Sequence, residues 1–469
     1  MSCTLVFDIG KTHAKAIVFD AALQAVARRQ RANSVLATAP YPHLDVEGLW
    51  QWMLEAMRDS AAQHRIEHLI VTTHGATAAL IDPALGEDGL VLPVLDYEHA
   101  GPEELADYEA LRPGFAQTCS PALPCGLNLG RQLHWQRKQF PQDFARAQAV
   151  LLYPHYWTWR LSGALLSECS SLGCHTDLWS VRERGFSSLV PALGLQGKLP
   201  APRAAWETSA PMRPDIALRT GIPSNCAVYT GVHDSNAGYA RQLKLAQGRP
   251  FVLVSTGTWV VCMASNAALE SLDETRDMLA NVDINGDPVA CARFMGGREF
   301  AVICELLGAD PGAGVSVADV QAVVNAGALA LPGFGGGSGP FVASAGRIVG
   351  QPANGAALAT LYAALMIDQL LDLLAAPGET MIEGAFLANP VLCGLVAALR
   401  DTTVRLCEAS DSSALGAALL CHGERAPEAA PQRRCEPCVV RGLADYRARW
   451  RMAAADQAQH GFRQTERNA

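Results

Sequence analysis

LVFDIGKT, at residues 5–12, has a counterpart far along the chain in VLVSTGTW, at residues 252–259. Each copy runs from an apolar, β-prone stretch into a glycine turn flanked by hydroxyl side chains, and a second apolar stretch follows. Gly10 aligns with Gly257, 247 residues further on. Such turns can offer N–H and O–H donors to a phosphate. The repeat therefore predicts two related domains that hold a nucleotide phosphate tail from opposite sides, as in a phosphotransferase.

Length and charge support two domains that act on a small molecule. The chain has 469 residues, whereas a single hydrophobic core usually stops growing at roughly 250–300. The net charge of −9 and the pI near 5.8 argue against nucleic-acid binding, because that function needs a basic face. We therefore expect a small-molecule substrate and no nucleic-acid partner.

The cysteine positions and the apolar stretches indicate in which cellular compartment the protein is expected. The 14 cysteines show no disulfide framework, and the pair Cys435 and Cys438 lacks further ligands at zinc spacing. This pattern favours free thiols in a reducing cytoplasm. Asp8 and Lys11 interrupt the apolar core that a signal peptide would need. The longest apolar stretch, residues 355–367, is shorter than a membrane span, so we expect a cytoplasmic protein with no membrane segment.

The first half alternates strand-like and helical stretches. Apolar runs at residues 3–8, 68–73, 147–152 and 227–230 have β character, and residues 47–62 have a helical pattern. Alternation of this kind is typical of α/β proteins.

The second half begins near residue 245, before the second glycine turn. Leucines spaced three and four apart in residues 358–365 predict a buried helix that ends before residues 377–378, and a strand should follow at residues 380–382. The glycine-rich residues 333–340 should be irregular, either as a flexible loop or as a close backbone approach to a ligand.

Asp8 is a candidate magnesium ligand. It lies between an apolar strand and Gly10, where a carboxylate can hold a phosphate-bound Mg²⁺ directly or through water. The alternative is that Asp8 only forms the turn. Lys11 and Thr12 are candidate phosphate contacts in the same turn, although a lysine on a turn is often simply solvated.

Asp234 is the candidate catalytic base. TGVHDS at residues 230–235 follows an apolar run, so Asp234 should emerge at the end of a strand, where ligand crevices open in α/β sheets. A carboxylate there can accept the proton of an attacking hydroxyl during phosphoryl transfer. His233 would then contact the substrate. The alternative is that Asp234 caps the following helix.

Residues 3–425 together resemble the FGGY carbohydrate kinases. The resemblance implies an α/β fold with two domains of the actin, hexokinase and sugar kinase (ribonuclease H-like) type and a cleft between them. It rests on five motifs: phosphate motifs at residues 8–12 and 255–259, the catalytic-base segment at 231–234, an adenosine motif at 383–390 and a last signature helix at 414–418. The implied domains are residues 1–245 for sugar binding and catalysis, 246–425 for nucleotide binding, and 426–469 as a helical tail.

The resemblance also implies ATP and Mg²⁺ and assigns site residues. The implied roles are Asp234 as catalytic base, Asp8 as the Mg²⁺ residue, Asp8, Gly10, Lys11, Thr12, Thr256, Gly257, Thr258, Gly384 and Asn389 at the nucleotide, and His74, Glu98, His233 and Asp234 at the sugar. His74 as a histidine satisfied by its own neighbours is an equal alternative. Since related enzymes often form dimers, a homodimer is consistent with the resemblance.

Several positions depart from the family pattern. Ala385 and Phe386 replace two glycines of the adenosine motif, and glycines at residues 335–337 replace an arginine-containing loop. Glu98 stands where an aspartate is typical and Ala100 where an arginine is usual. These changes predict altered recognition of the nucleotide and of the substrate hydroxyls.

The pair of residues 233–234, His-Asp, is closer to kinases of deoxy-ketohexoses such as rhamnulose or fuculose than to the Gly-Asp-Gln pattern of xylulose and glycerol kinases. We therefore expect transfer of the ATP γ-phosphate to a hydroxyl of a ketose of the rhamnulose, fuculose, xylulose or ribulose class. Two alternatives remain open: a nucleotide-switched binding protein on the same fold without sugar kinase activity, and an ATPase that acts on a protein partner.

Overall fold

The computed structural model describes residues 2–400, 402–408, 411–423 and 432–468, and the side chains of the last helix as far as residue 459. The chain divides into two compact units. The first consists of Met1–Gln247, Ala280–Pro288 and Asp411–Glu428, and the second of Gly248–Leu279, Val289–Ser410 and Ala429–Ala469.

The first unit is built on a seven-stranded sheet in the order β5-β6-β4-β1-β2-β3, with β7 also paired to β4. Its strands are β1 Ser2–Ile9, β2 His13–Phe19, β3 Ala25–Ala32, β4 Arg65–Thr73, β5 Thr208–Pro211, β6 Ala227–Tyr229 and β7 Val232–His233. Strands β1, β2 and β3 are antiparallel neighbours, and β4 runs parallel to β1, β6 and β7.

The second unit has a seven-stranded sheet in the order β10-β11-β9-β8-β12-β13-β14. Its strands are β8 Phe251–Thr256, β9 Val260–Ala264, β10 Met278–Val282, β11 Pro288–Phe294, β12 Glu379–Gly384, β13 Val404–Cys407 and β14 Gln432–Arg434. Strands β8, β9 and β11 are antiparallel neighbours, and β12 runs parallel to β8 and β13.

The two sheets share one plan. In each, a hairpin that encloses the glycine turn is flanked on one side by an antiparallel strand and on the other by parallel strands. Gly10 and Gly257 occupy equivalent turns, because in both the glycine amide donates to the carbonyl oxygen of a residue just beyond it, His13 or Trp259, at 2.9 Å. The sequence repeat is thus confirmed as a structural repeat.

Ten helices of nine or more residues lie within the described ranges: α1 Val46–Gln63, α2 Leu129–Gln139, α3 Tyr153–Ser162, α4 Asp234–Ala246, α5 Gly296–Leu306, α6 Val317–Ala326, α7 Gly355–Leu374, α8 Pro390–Leu399, α9 Ser412–Leu420 and α10 Leu443–Asn468. Shorter helices span Tyr108–Leu111, Phe115–Thr118, Pro141–Arg146, Cys169–Leu172, Leu189–Ala192 and Pro214–Thr220. Short strands outside the two sheets span Val35–Leu36, His43–Leu44, Ala78–Ile81, Ala149–Leu152, Ser167–Glu168, Trp179–Ser180, Gly185–Phe186, Pro202–Arg203, Leu329–Leu331 and Arg347–Val349.

Helix α7 is the centre of the core of the second unit. Asn354 caps its start by accepting the Ala357 amide at 3.0 Å, and the helix is followed by β12 as the leucine spacing predicts. The apolar stretch is longer than expected: at 20 residues, α7 is long and apolar enough to cross a membrane by length and composition alone, and 83% of its most apolar window is buried inside the protein. Burial of this kind is what a core helix shows.

Helix α9 clusters with the first unit, although residues 246–425 were expected to form one domain. The physical reason is close packing on α4: a Cβ at Gly416 would overlap the backbone carbonyl of Ala237. Ala414 and Ala417 join a core cluster with Val6 of the sheet. The predicted boundary at residues 425–426 lies outside the described residues.

Two further expectations are met. The 14 cysteines all lie within the described residues, and no disulfide joins any of them. Residues 333–340 contain neither helix nor strand.

Candidate active site

The parallel strands of the first unit bring three predicted site residues to one edge of the sheet. Asp8 in β1 is in register with Thr72 of β4, and His233 in β7 is in register with Thr73. His74 follows β4 directly, and its amide donates to the Ile9 carbonyl at 2.9 Å. Carboxyl ends of parallel strands are where ligand sites open in α/β sheets.

A cavity of about 300 Å³ opens at this edge. It is lined by Asp8, Gly10, Thr12, His13, Lys15, Gln30, Asp234 and Ser413. The first phosphate turn and the predicted base therefore face one space within the first unit. Lys11, the remaining residue of that turn, is not part of the lining.

Asp8 is almost fully buried, with 8% of its surface exposed. The Ser413 hydroxyl donates to its Oδ2 atom at 2.9 Å. Burial, with a smaller contribution from the charge of Asp234, raises the pKa of Asp8 to about 6. Lys15 is turned partly away, because its ammonium pairs with Asp411 at 3.1 Å. Asp8 thus carries a charge that the protein compensates only in part.

Asp234 is the first residue of α4, and the N-cap position belongs to His233. Its Oδ1 atom accepts the Ser235 amide at 2.6 Å and lies 3.2 Å from His233 Nε2. The side chain keeps 27% of its surface exposed. Burial raises its pKa, and His74 and the Ser235 amide act in the opposite direction. Asp234 is therefore accessible and its pKa is raised, and its carboxylate also accepts an amide of the first turn of α4, although His233 holds the N-cap position.

Burial disfavours the charged form of both histidines near Asp234. Burial lowers the pKa of His233 to about 4 and lowers that of His74 as well. His74 Nδ1 lies 2.9 Å from the Gly75 carbonyl oxygen. Because a carbonyl only accepts, Nδ1 carries the proton and Nε2 is left as an acceptor. Tyr97 and Tyr153 pack edge-on or tilted against the His74 ring, with centroids 5.5 and 5.1 Å away.

Gly75 sets the position of His233. A Cβ at Gly75 would lie 2.9 Å from Nε2 and 3.0 Å from Cδ2 of the His233 ring. We expect Gly75→Ala to displace this ring and to raise the acceptor KM roughly five- to tenfold, by an overpacking cost of about 1 kcal/mol. Steady-state kinetics test this, with Gly114→Ala as the control, since no atom lies within 4 Å of a Cβ there. Equal KM values in both variants would contradict it.

Lys11 lies against an acidic loop, residues 96–98, that contains Glu98. The Lys11 ammonium pairs with Asp96 and lies 3.4 Å from Glu98 Oε2. It also sits over the Tyr97 ring, 4.5 Å from the centroid. Glu98 itself is largely exposed, with 64% of its side chain accessible. The structure therefore places Lys11 against the acidic loop and not in the cavity with Asp8.

In the second unit, the hydroxyl of Thr256 has two partners of its own. It donates to the Glu383 carbonyl at 2.6 Å and accepts the Phe386 amide at 3.0 Å. The neighbouring Gly257 carbonyl accepts the Gly297 amide at 3.1 Å, whereas Thr258 is exposed. Thr256 thus joins the second phosphate turn to the adenosine motif, and Thr258 is the hydroxyl of this turn that remains accessible.

The adenosine motif forms a tight corner between β12 and α8. Gly384 has φ of 90°, and a Cβ there would overlap the Thr256 carbonyl oxygen. Asn389 caps α8 by accepting the Leu392 amide at 3.0 Å, and its amide donates to Thr360 Oγ1 at 3.0 Å. The packing explains both residues as holders of the corner, which is a role that sequence reasoning did not assign.

We expect Gly384→Ala to destabilise the protein by roughly 2 kcal/mol or more, because left-handed strain adds to a backbone overlap. Gly308→Ala is the matched control: its φ is 62° and no atom lies within 4 Å of a Cβ, so only about 1 kcal/mol should be lost. Denaturant midpoints measure both. Similar losses in the two variants would show that the overlap is relieved.

Two contributors to the site were missed at the level of sequence, Ser413 and Asp411. They lie about 400 residues from the turn they contact, and no local pattern marks such a contact. The nearest signal was the predicted signature helix at residues 414–418, which begins immediately after them.

Asp8 and Asp234 also fit a divalent cation. Their carboxylates are close enough for the charge of Asp234 to raise the pKa of Asp8, and oxygen ligands are those that Mg²⁺ prefers. Within the described ranges no cluster of three or more His, Cys, Asp or Glu side chains could hold a metal. That is compatible with Mg²⁺, which usually keeps several waters and needs only one or two carboxylates beside substrate phosphates.

The fold is that of sugar kinases of the actin and hexokinase type. A carbohydrate kinase from Novosphingobium aromaticivorans has a TM-score of 0.89 and 33% identity, with 97% of this chain and 99% of that chain covered. A xylulose kinase from Lactobacillus acidophilus has a TM-score of 0.78 and 14% identity, with 98% and 97% covered, and shows the fold alone.

The family follows from these matches together with the sequence. Residues 248–431 match the carbohydrate kinase FGGY C-terminal domain. An L-fuculokinase of Salmonella typhi is 26% identical over 290 residues, and the match spans 57% of this chain and 57% of that relative. The chain belongs to the FGGY carbohydrate kinases, a family of phosphotransferases with an alcohol group as acceptor. Sugar kinases of this family use ATP as substrate, usually with Mg²⁺.

Proposed function

We propose that this protein transfers the γ-phosphate of ATP to a hydroxyl group of a ketose, with Asp234 as the catalytic base. One observation carries the proposal: Asp8 and Asp234 converge on a single cavity at the ends of parallel strands. Asp8 can hold the cation at the phosphate, and Asp234 can accept the proton of the acceptor hydroxyl. Phosphoryl transfer needs little more than such alignment with neutralisation of the phosphate oxygens.

Asp234 accepts the proton of the attacking hydroxyl at one of its carboxylate oxygens. Burial raises its pKa, which makes it a stronger base than a solvated aspartate. His233 Nε2 lies 3.2 Å from Oδ1 of Asp234, next to the proposed base. His74 offers the unprotonated Nε2 atom as an acceptor for a sugar hydroxyl.

On the phosphate side, Asp8 would hold Mg²⁺ directly or through water, with Ser413 fixing the rotamer of the carboxylate. The bound cation would neutralise charge on the phosphate oxygens. Thr12 lines the same cavity and contributes its hydroxyl as a donor of the first turn, because the Gly10 amide already donates to the His13 carbonyl.

We assign nucleotide binding to the second unit. In the second glycine turn the exposed Thr258 hydroxyl supplies a phosphate donor, because the Gly257 amide already donates to the Trp259 carbonyl. The Gly384 corner allows close approach of the backbone to adenosine. Thr256 and Asn389 hold these two segments in place through the hydrogen bonds described above.

The acceptor is an uncharged ketose, of the class that includes fuculose, rhamnulose, xylulose and ribulose. Burial raises the pKa of Tyr97 to about 12, and the negative charges of Glu98, Asp96 and Asp234 contribute to the rise. Lys11 is the one ammonium paired with this loop in the described structure. The excess of negative charge disfavours a sugar acid, and the similarity to an L-fuculokinase supports a deoxy-ketohexose.

ADP release with Mg·ATP across a panel of ketoses and polyols tests this proposal, with gluconate as the charged comparison. We expect stimulation by one or a few neutral ketoses and none by gluconate. No stimulation by any neutral sugar would contradict the proposal and favour the nucleotide-switched alternative.

We further propose that the protein works in the cytoplasm as a homodimer. Its 14 unbridged thiols suit a reducing compartment, and kinases of this family often form dimers. Light scattering after size exclusion measures the mass directly, and a value equal to the 49.9 kDa chain would contradict the dimer.

A further inference from the structure

We propose that Lys11 is a positioning residue for the acceptor sugar and not a phosphate ligand. The inference rests on the proposed function, since it concerns the acceptor side of the same site. The position of Lys11 in the sequence, inside the first phosphate turn, suggests a phosphate contact instead. The contacts of its side chain favour the acceptor side.

The ion pair between Lys11 and Asp96 is largely buried. Only 18% of the Lys11 side chain and 8% of the Asp96 side chain are exposed. Breaking a pair in such surroundings leaves a buried carboxylate without its counter-ion, which costs far more than the loss of a surface pair. Lys11 would have to break this pair to reach a phosphate.

The pair is one of several contacts that hold the acidic loop, residues 96–98. Asp96 Oδ1 accepts both the Lys11 ammonium and the Glu98 amide, the latter at 3.2 Å. The Asp96 amide donates to the Pro42 carbonyl at 3.1 Å. Lys11 also lies over the ring of Tyr97. The ammonium thus contacts three successive residues of the loop, residues 96–98.

The fixed loop bears directly on the acceptor groups. Tyr97 packs edge-on against His74, whose unprotonated Nε2 is the proposed hydroxyl acceptor. Glu98, the exposed carboxylate of the loop, lies within 3.4 Å of the ammonium through Oε2. Removing the charge of Lys11 should therefore loosen both Tyr97 and Glu98 and weaken sugar binding. Phosphate contacts in the cavity would remain, because Lys11 does not line it.

The test compares Lys11→Met with Lys11→Arg and with a control. Lys138→Met is the control, because Lys138 also pairs with an aspartate, Asp107, but in an exposed position with 46% and 47% of the two side chains accessible. We expect Lys11→Met to raise the acceptor KM at least roughly tenfold and to leave the KM for ATP within about twofold. Lys11→Arg should restore most of the acceptor affinity, and Lys138→Met should resemble the wild type.

A double variant tests the pairing itself. Lys11→Met combined with Asp96→Asn should be less impaired in acceptor KM than the product of the single changes, because the uncompensated carboxylate is gone. An acceptor KM unchanged in Lys11→Met would overturn the proposal.

Calorimetric binding of Mg·ATP separates this inference from the proposed function. A phosphate ligand would show at least roughly tenfold weaker binding in Lys11→Met, and that result would overturn the inference whether or not a sugar is turned over. Unchanged nucleotide affinity supports it. Failure of the proposed function would appear elsewhere, as wild-type protein that binds nucleotide but responds to no neutral sugar.

Discussion

Asp234→Asn is expected to lower kcat for ketose phosphorylation by roughly 10²–10⁴-fold, the range that general-base catalysis contributes. The amide keeps the shape of the side chain and can still accept the Ser235 amide, so the fold should be retained. It cannot take up the proton of the attacking hydroxyl. Single-turnover kinetics at saturating ATP and sugar measure the chemical step directly.

The control for this variant is nucleotide affinity, which should change little because Asp234 is proposed to contact the acceptor hydroxyl and not the nucleotide. Retained kcat in Asp234→Asn, with normal nucleotide binding, would show that the acceptor is deprotonated elsewhere. Loss of both activity and thermal stability would instead indicate misfolding, and circular dichroism on the same preparation distinguishes these outcomes.

Asp8→Asn should have two opposite effects. Turnover should fall by roughly 10²-fold or more, because the carboxylate proposed to hold Mg²⁺ is lost. The protein without ligands should become more stable, by about 1–3 kcal/mol, because a buried charge beside Asp234 is removed. Few substitutions improve stability while abolishing activity, so this combination is a specific signature of a functional carboxylate.

The pH dependence of that stabilisation has a definite sign. The pKa of Asp8 is raised from 3.8 to about 6, so the folded protein binds this proton more tightly than the unfolded chain. The contribution of Asp8 to stability is therefore lost as pH rises from about 4 to about 6. Denaturant unfolding should show that Asp8→Asn and wild type differ most above pH 6 and converge near pH 4. A difference that is largest at low pH would contradict this account.

Local patterns sufficed for the secondary structure around the site. The apolar, β-prone stretches before Gly10 and Gly257 predicted both hairpins. The leucine spacing predicted α7, and its expected end before residues 377–378 placed the next strand. The position of Asp234 after an apolar run predicted its place at the end of a strand. Each of these features depends on residues a few positions apart, which is why sequence reasoning could reach them.

Contacts between distant parts of the chain could not be predicted in this way. The Ser413 hydroxyl donates to Asp8, which is about 400 residues away in the sequence. The Lys11 ammonium pairs with Asp96 of a separate loop. The hydroxyl of Thr256 is occupied by the backbone of residues 383–386. In all three cases the sequence identified one member of the contact, namely Asp8, Lys11 or Thr256. The partner of each depends on tertiary packing.

The central claim is that phosphate passes from ATP to a sugar hydroxyl. The most direct measurement is the stoichiometry of the products when wild-type protein turns over Mg·ATP with the most active ketose of the panel, with ADP and sugar phosphate quantified by phosphorus NMR. This account predicts one sugar phosphate for each ADP and no accumulation of inorganic phosphate. ADP accompanied by inorganic phosphate, with no sugar phosphate, would contradict it.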